Sequence, residues 1–203
     1  MNFKERIDKY KKKPLRSKIS DVIFIIFIVA MLTPSGRLAI GGFVNRIKAV
    51  IVQPSVNTGK EIVILKSADY NWQISDINGR PVNFSEFRNK VIFLNFWATW
   101  CPPCVGEMPA IQDLYNSFKS EEDVSFLLVT NDSPDKVREF LKKRDYNFPV
   151  YIYSYNPPNI FKSSVIPTTF IISKDGKILV KETGAANWNG TEIQNLIKKL
   201  IKE

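Results

Sequence analysis

The thiol chemistry open to this 203-residue chain is confined to one place. Cys101 and Cys104 are its only cysteines, three positions apart in "WATWCPPC", residues 97–104. The apolar run "KVIFLNFW" precedes the pair, and Cys104, Ile111, Leu114 and Phe118 follow at helical spacing. A strand-to-helix junction puts the first sulfur at a helix N-terminus, among backbone N–H groups that lack partners. The positive end of the helix favours a thiolate there by about 0.3–1 kcal/mol, and the Cys pKa falls below its free value of about 8.5. Cys101 therefore reads as the nucleophile. Cys104, one turn further along and on the apolar stripe, reads as the resolving thiol. Pro102 and Pro103 fit the first helical turn, where no backbone donor is lost. Trp100 is expected to shield one side of the pair.

The same helix carries an acid in an unusual place. Glu107 lies three residues past Cys104 and four before Ile111, on the apolar stripe. A carboxyl group held there is desolvated and its pKa raised, which suits it to pass a proton to or from Cys104. The plainer alternative is a surface Glu favoured by the helix N-terminus. Asn95, inside "FLNFW", reads as a hydrogen-bonded core amide.

Composition excludes several classes. The chain has no histidine, which removes Ser-His-Asp and Cys-His catalysis and the commonest metal ligand. Two cysteines without histidine cannot complete a four-ligand zinc site, so no metal and no other cofactor is expected. A purely stabilising disulfide is disfavoured as well, because so short a loop removes little chain entropy.

The net charge of +9 is concentrated at the start, with +6 in residues 1–20 and +3 over the remaining 183 residues. Such an arm could bind phosphates, but eleven apolar residues, Val22–Leu32, follow it, and no charge falls between Asp21 and Arg37. A positive flank before an apolar segment marks a signal peptide or a signal anchor with its basic end in the cytoplasm. Eleven residues fit a cleaved segment, yet "TPSGR" is a poor cleavage site and "LAIGGFV" from Leu38 could lengthen a tilted helix. The expectation is an uncleaved anchor. It divides the chain into a basic cytoplasmic segment (1–20), a signal anchor (21–44), a linker (45–60) and an exported domain (61–203), with no nucleic-acid partner.

That domain alternates element types. Strands are expected at "EIVIL", on both sides of the Asn78-Gly79 turn, at "KVIFLNFW", at "VSFLLVT" and near "FPVYIY", and as a hairpin of "TTFIIS" and "KILVKE" around Lys174-Asp175-Gly176. Helices are expected from Cys101, from Ser133-Pro134 and from about Thr191. The order gives an α/β sandwich with a mixed sheet.

Together, "NFWATWCPPC", "GEMP" and, some sixty residues later, "VIPTTF" resemble the thioredoxin fold, and within it the TlpA/ResA family of membrane-anchored, extracytoplasmic thiol-disulfide oxidoreductases. The resemblance covers about residues 61–203. It implies a three-layer thioredoxin-like sandwich, exchange with protein disulfides or dithiols, an electron donor in the membrane, and often a place in cytochrome c maturation or periplasmic reduction. Carried onto this chain, it makes Pro167 a cis-proline beside the cysteines, with the Ile166 backbone before it pairing with an extended substrate. It gives Glu107 the proton-relay role, and Asn95 stands where thioredoxins carry a buried Asp.

Rival readings are weaker. A peroxiredoxin needs Thr at position 98, where this chain has Ala98, and a copper chaperone on this fold needs a His. A tethered binding module with a vestigial site should have lost part of the Cys101, Pro167 and Glu107 set. The direction of electron flow is not fixed by two intervening prolines; the resemblance favours a reductase over a disulfide-donating oxidase.

Overall fold

The computed structural model describes residues 14–33, 53–55 and 62–203. The chain divides into two compact units, residues 1–41 and 42–203. In the first, α1 (Leu15–Leu32) has no buried residue. No helix among the described residues is long and apolar enough to cross a membrane. Most of the basic arm, the "LAIGGFV" extension and most of the 45–60 linker lie outside the described residues.

The second unit is built on one eight-stranded sheet. Its strands are β1 (Val63–Ile64), β2 (Gln73–Asp76), β3 (Pro81–Asn83), β4 (Val91–Phe96), β5 (Val124–Thr130), β6 (Val150–Ile152), β7 (Thr168–Ile172) and β8 (Lys177–Thr183), in the order β1-β8-β7-β4-β5-β6-β2-β3. β4 pairs in parallel with β5, and β5 with β6. All other pairings are antiparallel. The expected mixed sheet is therefore observed, and every residue of β4 is buried, as its unbroken apolar run requires.

The helices are α2 (Pro102–Phe118), α3 (Pro134–Arg144) and α4 (Thr191–Lys202). The crossovers β4-α2-β5 and β5-α3-β6 step in the same direction across the sheet. Right-handed connections then set both helices on one face, and the buried residues of α2, α3 and α4 join a single core with Phe93, Phe126 and Leu128. Among the described residues, the core of the opposite face has no α-helical member. Its layer is made of three-ten turns (67–70, 84–87 and 159–161) and loops that supply Tyr70, Trp72, Phe84 and Phe161. Aromatic rings replace a helix there because each covers a large apolar area from a short segment. Phe84 and Phe161 meet edge-on at 5.4 Å, and Trp72 stacks over Phe96 at 6.0 Å.

Period 2 along β4 then decides which way its polar residue faces. Val91 and Phe93 belong to the helical core, and Ile92, Leu94 and Phe96 to the aromatic one. Asn95 shares the face of Phe93, toward the helices.

Two turns depend on glycine. Gly79 (φ 83°) closes β2–β3 and Gly176 (φ 82°) closes β7–β8. A Cβ on Gly79 would meet nothing within 4 Å, whereas one on Gly176 would stand 2.9 Å from Tyr70 Oη and 3.5 Å from Leu65 Cβ. Gly79→Ala therefore incurs backbone strain alone, about 1–2 kcal/mol. Gly176→Ala adds a clash against the aromatic core, and the expected outcome is a larger loss of unfolding free energy than in Gly79→Ala, measured by urea denaturation of the full-length chain.

Candidate active site

β4 ends at Phe96, and the next five residues turn the chain into α2. Trp97 N–H donates to Val129 O (3.1 Å) and Thr99 N–H to Asp132 Oδ2 (2.7 Å), so the loop is tied to the end of the parallel neighbour β5. Cys101 is the N-cap of α2, with Pro102 and Pro103 in the first turn. The helix continues through Pro109. Cys101 and Cys104 are joined as a disulfide with Cα atoms 5.3 Å apart. Cys104 N–H points at Cys101 Sγ at 3.3 Å. This is one of the backbone donors that a helix start leaves unpaired, and it is aimed at the sulfur that would carry negative charge.

The loop before β7 closes the site from the other side. The Ile166–Pro167 peptide is cis, and Ile166 O lies 3.8 Å from Cys101 Sγ. Thr168 Oγ1 donates to Val165 O (2.7 Å), and Gly184 N–H to Pro167 O (2.8 Å), which fixes the loop against β8. Cys104 is fully buried and Cys101 is 3% exposed, while Trp100 is 68% exposed. In this oxidised form a partner meets Trp100 before it meets either sulfur. An open cleft of about 480 Å³ adjoins Ile166, with Phe96, Tyr153 and Phe161 among its walls and Lys162 also lining it.

Glu107 has no exposed surface. Its Oε1 accepts from Asn95 Nδ2 (2.9 Å), and its Oε2 from Trp188 Nε1 (2.8 Å) and from the Ala186 N–H (3.2 Å). Burial pushes the carboxyl pKa up to about 8, against the three N–H donors that pull it down; the charge of Glu182 adds to the rise. Desolvation wins because three neutral hydrogen bonds do not replace the full hydration of a carboxylate.

The arrangement is a cysteine pair, joined as a disulfide, at a helix start, a cis-proline loop against it, and a fully buried carboxyl group one turn behind. Against known proteins, the profile of the Redoxin family matches residues 71–200. The chain belongs to the Redoxin family. The thiol-disulfide oxidoreductase ResA of Bacillus subtilis (strain 168) is 34% identical over 146 residues, 71% of this chain and 82% of that protein. The protein of the same name from Geobacillus thermodenitrificans is 35% identical over 129 residues, 63% of this chain and 74% of its own. A solved structure of a putative thiol-disulfide oxidoreductase from Bacteroides vulgatus superposes with a TM-score of 0.53 at 28% identity, covering 64% of this chain and 91% of that one. A secreted thiol-disulfide isomerase from Corynebacterium glutamicum, at 23% identity and TM-score 0.56 over 74% of this chain and 98% of that one, shares the fold. This redoxin is a thiol-disulfide oxidoreductase of thioredoxin-like fold.

The redoxin brings Cys101, Cys104, Ile166 and Pro167 together and places Glu107 beside Asn95. Three participants were not singled out from sequence. Asp132 holds the active-site loop; its signal is its position just past the C-terminal end of a parallel strand, where α/β proteins gather their sites. Ala186 and Trp188 contact Glu107 from the loop between β8 and α4. A tryptophan in a small polar loop needs a partner for its N–H, but spacing does not say which.

The buried carboxyl group also couples stability to pH. Its folded pKa is raised from 4.5 to about 8, so folding takes up a proton between those values. The stabilisation is complete below the unfolded pKa and is lost as pH rises through the folded one. Unfolding free energy of the oxidised redoxin should fall by up to about 1.4 kcal/mol per pH unit across this window. Glu107→Gln, which keeps the shape and cannot ionise, should flatten the profile by that amount in denaturant titrations from pH 5 to 9.

Proposed function

We propose that this redoxin reduces disulfides in proteins outside the cytoplasm, with Cys101 as the attacking thiolate and Cys104 as the resolving thiol. The observation that carries the reading is the position of Cys101 Sγ, at the N-cap of α2, with the Cys104 N–H at 3.3 Å and the Ile166 carbonyl at 3.8 Å. An extended substrate laid along Ile166 and Pro167 brings its disulfide in line with that sulfur. Trp100 supplies exposed apolar surface for the approach, and the cleft beside Ile166 has room for a substrate side chain.

The chemistry follows from these positions. The Cys101 thiolate attacks one substrate sulfur; the substrate disulfide breaks, one substrate thiolate leaves and takes a proton from water, and a mixed disulfide forms. Cys104 then loses its proton to the Glu107 carboxylate and attacks Cys101 Sγ. The mixed disulfide breaks, the second substrate thiolate leaves and is protonated, and Cys101 and Cys104 end as the disulfide. The substrate gains two electrons and two protons. A donor dithiol returns them by the same exchange in reverse. A proton acceptor matters only for Cys104, because a buried thiol has no water to receive its proton.

The exported location rests on the N-terminal segment: residues 1–20 as the cytoplasmic flank, 21–44 as an anchor, 45–60 as a linker and 61–203 as the catalytic domain. What supports it is the charge-then-apolar order and the solvent exposure of Phe24, Ile25, Ile26 and Phe27 on α1, which a lipid environment would accommodate. An exported reductase needs electrons passed across the membrane, hence a donor held there. The resemblance to the TlpA/ResA family favours the reductive direction, and apocytochromes c are a fitting substrate class.

The equilibrium potential of the Cys101/Cys104 pair, titrated against glutathione or dithiothreitol, tests the direction. A value near the thioredoxin range of about −270 mV is expected; one near about −120 mV identifies a disulfide-donating oxidase instead. In insulin reduction, Cys101→Ser should abolish turnover, and Cys104→Ser should accumulate a mixed disulfide resolved by non-reducing electrophoresis. A Cys104→Ser chain that turns over at the normal rate would dismiss the resolving role.

A further inference from the structure

Glu107 must be stable in two protonation states if it is to pass a proton, and its contacts serve only one of them. Trp188 Nε1–H and the Ala186 N–H can only donate. Asn95 as it stands also donates: Nδ2 serves Glu107 Oε1 at 2.9 Å and Thr169 Oγ1 at 2.7 Å. All three contacts therefore favour the carboxylate. A protonated Glu107 carries an O–H donor of its own, and in a fully buried site that donor needs an acceptor. The amide oxygen that could accept it, Asn95 Oδ1, is buried and has no partner among the described residues.

We propose that Asn95 is a positioning residue for the proton transfer at Cys104: its amide reverses, donating to the Glu107 carboxylate and accepting from the Glu107 acid. Reversal puts Oδ1 where Nδ2 stands, within reach of a proton on Glu107 Oε1. The Thr169 hydroxyl is a donor as well as an acceptor, so it turns its own hydrogen toward Oδ1 and keeps its bond. In the present orientation Oδ1 is the amide atom without a partner among the described residues; after reversal it is Nδ2. Trp188 and Ala186 hold Oε2 throughout, which confines the exchangeable proton to Oε1. An Asn at this point cannot ionise; it can follow a proton without holding one.

The titratable groups around Glu107 agree with an internal device. On α2 these are Cys101 and Cys104, uncharged while bonded to each other. From β8 the charge of Glu182 acts on it. β4 contributes Asn95, β7 contributes Thr169, and the loop before α4 contributes the neutral N–H groups of Ala186 and Trp188. Among the described residues Asn95 is the one direct contact of Glu107 able to change from donor to acceptor, so the proton on Glu107 and the amide orientation are one variable.

The proposal rests on Glu107 as the proton carrier for Cys104, and the test separates the two. The reduced full-length chain is mixed with 5,5′-dithiobis(2-nitrobenzoate) and followed at 412 nm: attack by Cys101 releases the first thionitrobenzoate, and resolution of the mixed disulfide by Cys104 releases the second. Asn95→Leu should slow the second phase about tenfold below pH 8 and leave the first within about twofold. Asn95→Asp, which keeps an acceptor, should restore the second phase with its pH profile displaced upward, because two adjacent carboxyl groups share a proton. An unchanged second phase in Glu107→Gln removes the carrier role and the proposal with it; a slowed phase in Glu107→Gln beside an unchanged one in Asn95→Leu overturns the Asn95 role alone. Should Asn95→Leu fail to fold, the wild-type chain decides by NMR. Cross-peaks from the Asn95 side-chain amide protons to the Thr169 β proton should be present at pH 9.5 and lost at pH 6, with the midpoint of the Glu107 13Cδ titration. Their persistence across that titration refutes the reversal.

Discussion

The constraint around which this domain is arranged is a carboxyl group with no access to water. Glu107 is reached by donors from β4 and from the loop before α4 while itself riding on α2. Each contact has a different cause. Asn95 faces it through the two-residue period of a central strand; Trp188 is fixed by its edge-on contact with Phe93 at 5.2 Å; Glu107 points inward because the helix stripe of Cys104 and Ile111 includes it. None of the three backbone positions can shift without moving a fully buried ring or strand, though the Asn95 amide can turn in place, so the polarity of the cysteine surroundings is set by the hydrophobic core rather than by surface loops.

Sheet order explains why the sulfurs and the cis-proline loop meet. β4 lies between β5 and β7, parallel to one and antiparallel to the other. The C-terminal end of β4, where the cysteines start, therefore adjoins both the C-terminal end of β5 and the N-terminal end of β7. Asp132 comes from the first and Ile166–Pro167 from the second. Local sequence places each of these at an end of a strand, and the register does the rest.

Much of this was legible in the residues themselves. The strand-to-helix junction at Cys101, the inward face of Glu107 and Cys104, the Asn78-Gly79 hairpin and the starts of α3 and α4 follow from period, caps and turn chemistry, which act within a few positions. The partners of Glu107 were not legible, since Ala186 and Trp188 stand some eighty residues away and nothing local marks a tryptophan as a donor to a particular carboxyl group. The layer opposite the helices escaped for a related reason. Its rings come from short strand ends and turns, so nothing in the local sequence joins Trp72, Phe84 and Phe161, and only the fold makes them a core. Asn95 was legible as a core amide; its bond to Glu107 required both elements in place.

The ends of the sheet carry a consequence of their own. β1 has two residues and β3 has three, so each border of the ladder offers an extended polypeptide very few free backbone groups. An extended polypeptide therefore finds little to zip onto at either rim among the described residues. Brief borders thus guard the sheet against edge-to-edge, amyloid-like additions.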